Sequence, residues 1–272
     1  PQQGESGTSK CAISIAYAKA AYKDDHAINV ESLGPALIAF GKLIKEANNS
    51  FNAKKSTSSL YVISDFEHKC FNINFEIITQ ITDIIKTLIE SEPVKNAREI
   101  LEQIGLLKPS SAIGSIALSY LAYLKWKNGR KIEKIENTNI DGNNYVKITI
   151  DGSHNHINMP IYNMSNNAKA LSATRDAFNP IGHDNFDKIE IRQDDKIIDN
   201  IDEAEIQSII ASCNSGIIDS EEEKEELEET SAWLSVYSPV FDQSGFDARG
   251  LLRNSRDRHH PDLAGATVRE SC

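Results

Sequence analysis

Two histidines separated by one residue could bind a metal ion. His154 and His156 lie in a segment of β-strand character, where a spacing of two places both imidazoles on the same face. Histidine is the commonest ligand of zinc-type metals. A site needs a third ligand, for which His183 and Asp187 are the nearest candidates in the sequence. The alternative is that both histidines are ordinary residues of a polar turn beside Asp151.

Positive charge clusters around a tryptophan near the middle of the chain. Five cations lie within ten residues around Trp126, namely Lys125, Lys127, Arg130, Lys131 and Lys134. The cations of such a patch can bind phosphates, and its aromatic side chain can stack on a base. The cluster therefore indicates contact with phosphate or nucleic acid. The structural alternative is that these cations complement the dipole of a helix that ends at Gly129.

A third cluster lies in a polar turn between a predicted strand and a predicted helix. Asp25 and His26 could form a pair for acid–base catalysis, although aspartate and histidine are also ordinary turn residues. No recognisable motif places a serine, cysteine or lysine nucleophile beside them. The sequence contains no nucleophile elbow, dinucleotide fingerprint, phosphate loop, zinc-protease motif or paired CxxC. The absence of these motifs does not exclude an enzyme, because active sites are assembled from residues that are distant in the sequence.

Bulk composition narrows the class of protein. The 272 residues are 40% apolar and 25% charged, which is typical of a globular protein. The net charge of -11 argues against nucleic-acid binding over the whole surface. The four cysteines are scattered, which favours free thiols in a reducing cytoplasm. The longest uncharged stretch, residues 109–124, is shorter than the roughly 20 residues of a membrane span, so we expect no membrane association.

Hydrophobic periodicity predicts the elements that position these clusters. In the first half we expect a strand at 13–17, a helix from Leu33, and paired strands at 60–63 and 71–77. Three helices then follow. The second of these closes at Gly105, and the third runs from about 111 to 128.

The second half has more strand character. Asp141-Gly142 predicts a hairpin between strands at 131–136 and 145–150, and a third strand follows at 154–159. A helix at 165–179, a second hairpin at 186–201 and a short helix from Asp202 complete the pattern. The glutamate-rich residues 220–230 indicate a solvated helix or linker, and residues 233–237 a final strand.

The predicted fold class is α+β, with an N-terminal α/β layer at 12–130 and a β-rich α+β part at 131–241. We expect residues 1–11 to be a leader or tag and residues 242–272 to be a non-native tail. Residues 1–245 contain 20 lysines and 4 arginines, whereas residues 246–272 contain 5 arginines and no lysine. This change indicates sequence read from foreign or out-of-frame DNA after about Gly245. The alternative is a natural basic tail.

Several segments resemble those of a known family. They are Asp25-His26, Leu33-Gly34-Pro35-Ala36-Leu37, Gly41-Lys42-Leu43-Ile44, Glu46-Ala47-Asn48, the alternating residues 71–77, Trp126-Lys127-Asn128-Gly129-Arg130, and Ser238-Pro239-Val240-Phe241 after Trp233. Through these segments the chain resembles an uncharacterised bacterial family of small cytosolic proteins, and the resemblance covers about residues 13–241. The resemblance implies an α/β front and a β-rich rear, and it carries over no catalytic residues. The family continues into a further β-rich segment, so the resemblance also implies truncation at the C-terminal end.

Two function classes follow from these observations. The first is a non-enzymatic interaction or sensor protein, carried by mobile DNA or accessory to phage defence, with a protein partner or self-association. The second is an enzyme that acts on nucleic acid or a small molecule through the Asp25/His26 or His154/His156 loops. No cofactor is assigned. A pocket lined by those residues would favour the enzyme, whereas an exposed apolar patch or unpaired sheet edge would favour binding.

Overall fold

A computed structural model describes residues 7–18, 29–63, 71–82, 94–109, 117–140, 142–181, 186–193 and 196–230. These ranges hold six α-helices and eight strands in two antiparallel sheets, which confirms the predicted α+β class. The predicted helix after residue 81, the strand at 233–237 and the tail at 242–272 lie outside the described residues. All of the described helices and strands except the end of the last helix belong to one compact unit that extends to Glu221.

The helices are α1 (Val30–Asn52), α2 (Ala97–Ile104), α3 (Tyr120–Lys127), α4 (Met159–Ser165), α5 (Ala168–Phe178) and α6 (Glu203–Thr230). The strands are β1 (Thr8–Ala18), β2 (Ser56–Ile63), β3 (Phe71–Ile81), β4 (Lys134–Ile140), β5 (Asn143–Ile150), β6 (Ser153–Asn158), β7 (Lys188–Gln193) and β8 (Lys196–Asp202). No helix in the described ranges combines the length and apolar character that crossing a bilayer requires.

The larger sheet has the strand order β2-β3-β1-β7-β8. Its central strand β1 pairs antiparallel with both neighbours, so that Ile15 lies opposite Ile73 on one side and Ile191 on the other. The sheet therefore takes strands from both sides of the division predicted at residue 130. Residues 8–11, which composition placed in a leader, pair with residues 77–80 and are part of the fold.

The buried face of this sheet follows from the period-2 alternation of β3. Ile73, Phe75 and Ile77 are buried beneath α1, whose Phe40 ring lies 5.7 Å from the ring of Phe75. Phe40 also contacts Phe178 of α5 edge-on at 6.0 Å. The apolar face of α1, which its helical spacing creates, thus packs on the alternating apolar residues of the sheet and forms the centre of the core.

The smaller sheet has the order β4-β5-β6. The predicted hairpin joins β4 to β5, and Gly142 adopts the left-handed conformation (φ 81°) at its turn. Alternating residues Val146, Ile148 and Ile150 of β5, with Ile157 of β6, are buried and join the same core. The opposite face carries the polar residues of these strands, including both candidate histidines.

Local signals account for several helix boundaries. Asn96 and Glu99 form a reciprocal capping box at the start of α2, and Gly105 ends it in the left-handed conformation. The helix predicted at 165–179 is confirmed as α5, which begins three residues later because the Asn167 side chain caps its start. The helix α4 before it was not predicted. The short helix predicted from Asp202 and the acidic segment at 220–230 form one continuous helix, α6.

Two buried asparagines join the end of α1 to the elements around it. The Asn52 side-chain amide donates to Asn48 Oδ1 (3.0 Å) and to the Lys95 carbonyl (2.9 Å), and Asn52 Oδ1 accepts from the Lys95 amide (2.7 Å). Asn48 in turn donates to the carbonyl of Ser56, the first residue of β2 (2.9 Å). This network fixes where β2 enters the sheet, because side chains at the end of α1 bind both the first residue of β2 and the segment that precedes α2.

Replacement of Asn52 by alanine should lower the free energy of unfolding by about 2 kcal/mol, because it leaves partly buried backbone groups of residue 95 and the buried Asn48 side chain without their partner. Denaturant unfolding would measure the change. The matched control is Asn49→Ala on the exposed side of the same helix, which should shift stability by no more than about 0.5 kcal/mol. Equal effects of the two variants would contradict the structural role of Asn52.

Candidate interaction site

The two candidate metal ligands lie together on the exposed face of the smaller sheet. The His154 and His156 rings are 5.9 Å apart and nearly perpendicular, as a spacing of two on a strand predicts. Tyr145 of the neighbouring strand contacts His156 edge-on at 6.5 Å. Glu136 lies on the same face, and hydrogen bonding from Lys134 is the main cause that lowers the pKa of its carboxyl below its usual value.

A third metal ligand is missing from the part of the chain that the structure describes. Those residues contain no group of three or more histidine, cysteine, aspartate or glutamate side chains that could hold a metal ion. Asp187 lies beside β7 of the other sheet, and His183 falls outside the described residues. The metal site therefore stays a prediction that depends on His183.

Most cations of the predicted basic patch are bound to groups of the protein itself. Lys125 forms an ion pair with Glu205 of α6 (2.6 Å), and Lys134 forms one with Glu136 (2.9 Å). Arg130 pairs with Asp151 (3.0 Å), lies over the Trp126 ring at 5.9 Å and donates to the Trp126 carbonyl. Lys131 is exposed. The Arg130 contact with the Trp126 carbonyl is of the kind that the structural alternative describes, and the ion pairs reduce the charge offered to a phosphate. Phosphate contact stays a prediction.

Lys127 of the same patch is buried between helices and is only 6% exposed. Burial lowers the pKa of its ammonium group, and the negative charge of Asp219 opposes that shift. The neighbouring Cys213 is also buried, and burial raises the pKa of its thiol to about 12. An ammonium in this position does not face a ligand in solution.

The predicted catalytic pair cannot be compared with the depression found in the described surface. Asp25 and His26 lie outside the described residues. An open depression of about 640 Å³ lies where β7, β8 and α6 meet, and it is lined by Asp187, Lys188, Asp202, Glu203, Ala204 and Gln207. Neither histidine of the 154/156 pair and no cation of the basic patch contributes to it.

Strand β2 presents the most unusual surface of the described structure. It forms an outer edge of the five-stranded sheet, and its residues pair with β3 alone among the described strands. Tyr61, Val62 and Ile63 are 53%, 50% and 40% exposed. With no described strand on its outer side, an eight-residue edge strand presents unpaired backbone donors and acceptors.

The other described sheet edges carry the features that block strand addition. β8 contains Lys196, Asp199 and Asp202, and its pairing with β7 is interrupted by a bulge. β4 contains Lys134 and Glu136. Beyond β6, the Leu118 amide donates to the His156 carbonyl (2.9 Å) and covers part of that edge. Charges and bulges protect an edge from pairing, whereas residues 56–63 contain no charge, no proline and no bulge.

Searches of family models, curated proteins and solved structures found no match to this chain. The resemblance to an uncharacterised bacterial family therefore stays a prediction. The candidate site is consequently argued from geometry: it consists of residues 56–63, which we call the β2 edge. The sequence predicted the strand at 60–63 but not its position at the end of the sheet, although the absence of charge from 56 to 63 was a readable signal.

Replacement of Lys127 by methionine tests whether this lysine is buried, as the structure has it, or serves as a phosphate ligand. The variant should be as stable as the natural protein or more stable by about 1 kcal/mol at neutral pH, because it removes a charge that burial disfavours. Burial makes the lysine easier to deprotonate in the folded state than in the unfolded state, so the stability of the natural protein rises with pH. The extra stability of the Lys127→Met variant over the natural protein should therefore shrink in alkaline solution. Denaturant unfolding at several pH values would measure this.

The exposed Lys131→Met is the control and should change the free energy of unfolding by no more than about 0.5 kcal/mol. A loss of more than about 1 kcal/mol on replacing Lys127 would contradict its placement.

Proposed function

We propose that this chain is a non-enzymatic interaction protein that binds an extended strand along the β2 edge. The observation that carries the proposal is an uncharged outer strand that pairs only with β3 among the described strands, and whose consecutive residues Tyr61, Val62 and Ile63 are each at least 40% exposed. Exposed edges of this kind are a hazard that natural proteins usually block. Retention of an unblocked edge is explained if a partner covers it.

Strand addition would use both the backbone and the side chains of β2. Alternate residues of an edge strand point their N–H and C=O groups away from the sheet, and an added strand satisfies them. Successive side chains lie on opposite faces: Leu60 and Val62 lie on the core-facing side, where they pair with Ile77 and Phe75. Tyr61 and Ile63 lie on the other side. An incoming strand can therefore be recognised on both faces.

Hydrogen bonds on its inner side hold β2 in a fixed conformation before a partner binds. Its inner side pairs with β3 from residue 56 to residue 63, and the Ser58 hydroxyl lies 2.8 Å from the Thr79 hydroxyl across that pair. The asparagine network holds its first residue. A strand held in this way loses little conformational freedom when it binds, which favours association.

The enzyme alternative has no comparable support among the described residues. The 154/156 histidines lie on an exposed sheet face with no third ligand among the described residues. Of the cations around Trp126, three form ion pairs, Lys127 is buried, and Lys131 is exposed. Catalysis through Asp25 and His26 stays a prediction. Cytoplasmic location and a role in mobile DNA or phage defence also stay predictions, which the identity of neighbouring genes would test.

Site-specific photo-cross-linking in cells tests the proposal. A benzophenone amino acid in place of Tyr61 should give a discrete covalent adduct, because the partner strand would lie within reach of that side chain. The matched control places the same amino acid at Ile218 of α6, which is 54% exposed and distant from β2 in the sequence. The readout is the adduct pattern on a denaturing gel, with mass spectrometry of each band.

The proposal fails if position 61 gives no adduct beyond those obtained at position 218. A discrete adduct at position 61 alone supports it, whether the captured strand comes from another protein or from a second copy of this chain.

A further inference from the structure

We infer that the strand bound by the β2 edge is β2 of a second copy of this chain, so that two five-stranded sheets join into one ten-stranded antiparallel sheet. This inference rests on the proposed function and names its partner. A two-fold axis through the middle of β2 would relate the copies, which makes the interface self-complementary. Every pairing in the five-stranded sheet is already antiparallel, so the added pair would continue the same pattern.

Side-chain size supports self-pairing in a specific register. A continuous sheet keeps its core-facing side chains on one face, so β2 pairs with itself only when core-facing residues lie opposite each other. With the axis at Leu60, Tyr61 of one copy lies opposite Ser59 of the other, Val62 opposite Ser58, and Ile63 opposite Thr57. Each exposed large side chain therefore meets a small hydroxylated residue, and the two strands can interdigitate without crowding.

Charge also favours a second copy. The β2 edge is uncharged, so antiparallel self-pairing places no like charges opposite each other. By contrast, β8 carries Asp199 at its centre, and self-pairing there would oppose two carboxylates.

The size of the interface sets the expected strength. With the axis at Leu60, residues 57–63 of the two copies would exchange roughly six to eight backbone hydrogen bonds, with contacts from the three exposed apolar residues of each copy. An interface of this extent is small compared with that of an obligate dimer, so we expect a reversible dimer that forms over the micromolar range.

Sedimentation velocity of the purified full chain over a range of concentrations tests the inference. The natural protein should shift with concentration from the chain mass of 30.2 kDa towards twice that mass. Tyr61→Lys and Val62→Lys place a lysine on opposite faces of the β2 edge, and each should weaken dimerisation by roughly tenfold or more. Both positions are about half exposed, so the variants should fold, which circular dichroism would check.

The matched control is Ile197→Lys on the opposite edge strand β8, where the isoleucine is 55% exposed. This variant should dimerise like the natural protein. A dimer that survives both β2 substitutions, or that Ile197→Lys disrupts equally, would overturn the inference. So would a natural protein that stays monomeric at every concentration.

The cross-linking result separates the two levels of the argument. A monomeric purified protein with an adduct to a different protein at position 61 overturns the second copy as partner and leaves the β2 edge as a binding site. A monomeric protein without any specific adduct at position 61 overturns both.

Discussion

The double pairing of β1 is the constraint on which the rest of the structure depends. This strand lies between β3 and β7, and residues 14–17 pair with both neighbours at once. Its apolar residues Ile13, Ile15 and Tyr17 are buried, and the Tyr17 hydroxyl donates to the Ala177 carbonyl of α5 (3.2 Å). Burial also raises the pKa of this hydroxyl far above its usual value, so it stays protonated as a donor. The pairing joins strands more than 170 residues apart in the chain and leaves β2 and β8 as the outer strands of the sheet.

Local periodicity predicted much of the fold, because it reports which side of a single element is buried. The alternation at 71–77, the helix from Leu33, the Asp141-Gly142 hairpin and the stop at Gly105 all correspond to elements of the structure. The pairing of β1 with β7 could not be predicted in this way, since nothing in either strand specifies a partner so distant in sequence. Residues 8–11 were excluded from the fold for the same reason: their polar composition gives no sign that β3 pairs with them.

At the candidate sites, too, the sequence predicted local geometry but not long-range contacts. The sequence correctly placed His154 and His156 on one face, because that geometry is local to a strand. It could not predict that Glu205 and Asp151 pair with cations of the basic cluster, since those contacts depend on how α6 and the β5–β6 turn pack. The β2 edge was missed as a site because a strand becomes an edge only through the order of the whole sheet. Function at such an edge depends on backbone geometry, which leaves no catalytic motif in the sequence.

The central claim is that the outer side of β2 is free in the monomer and becomes paired on association. Residue-resolved amide hydrogen exchange at low and high protein concentration tests it most directly. In dilute solution, alternate amides of residues 56–63 should exchange quickly, namely those that point away from β3, while their neighbours are protected. At high concentration the fast amides should become protected, and those of β8 should not change. Protection of all β2 amides in dilute solution, or exchange that is independent of concentration, would contradict the account.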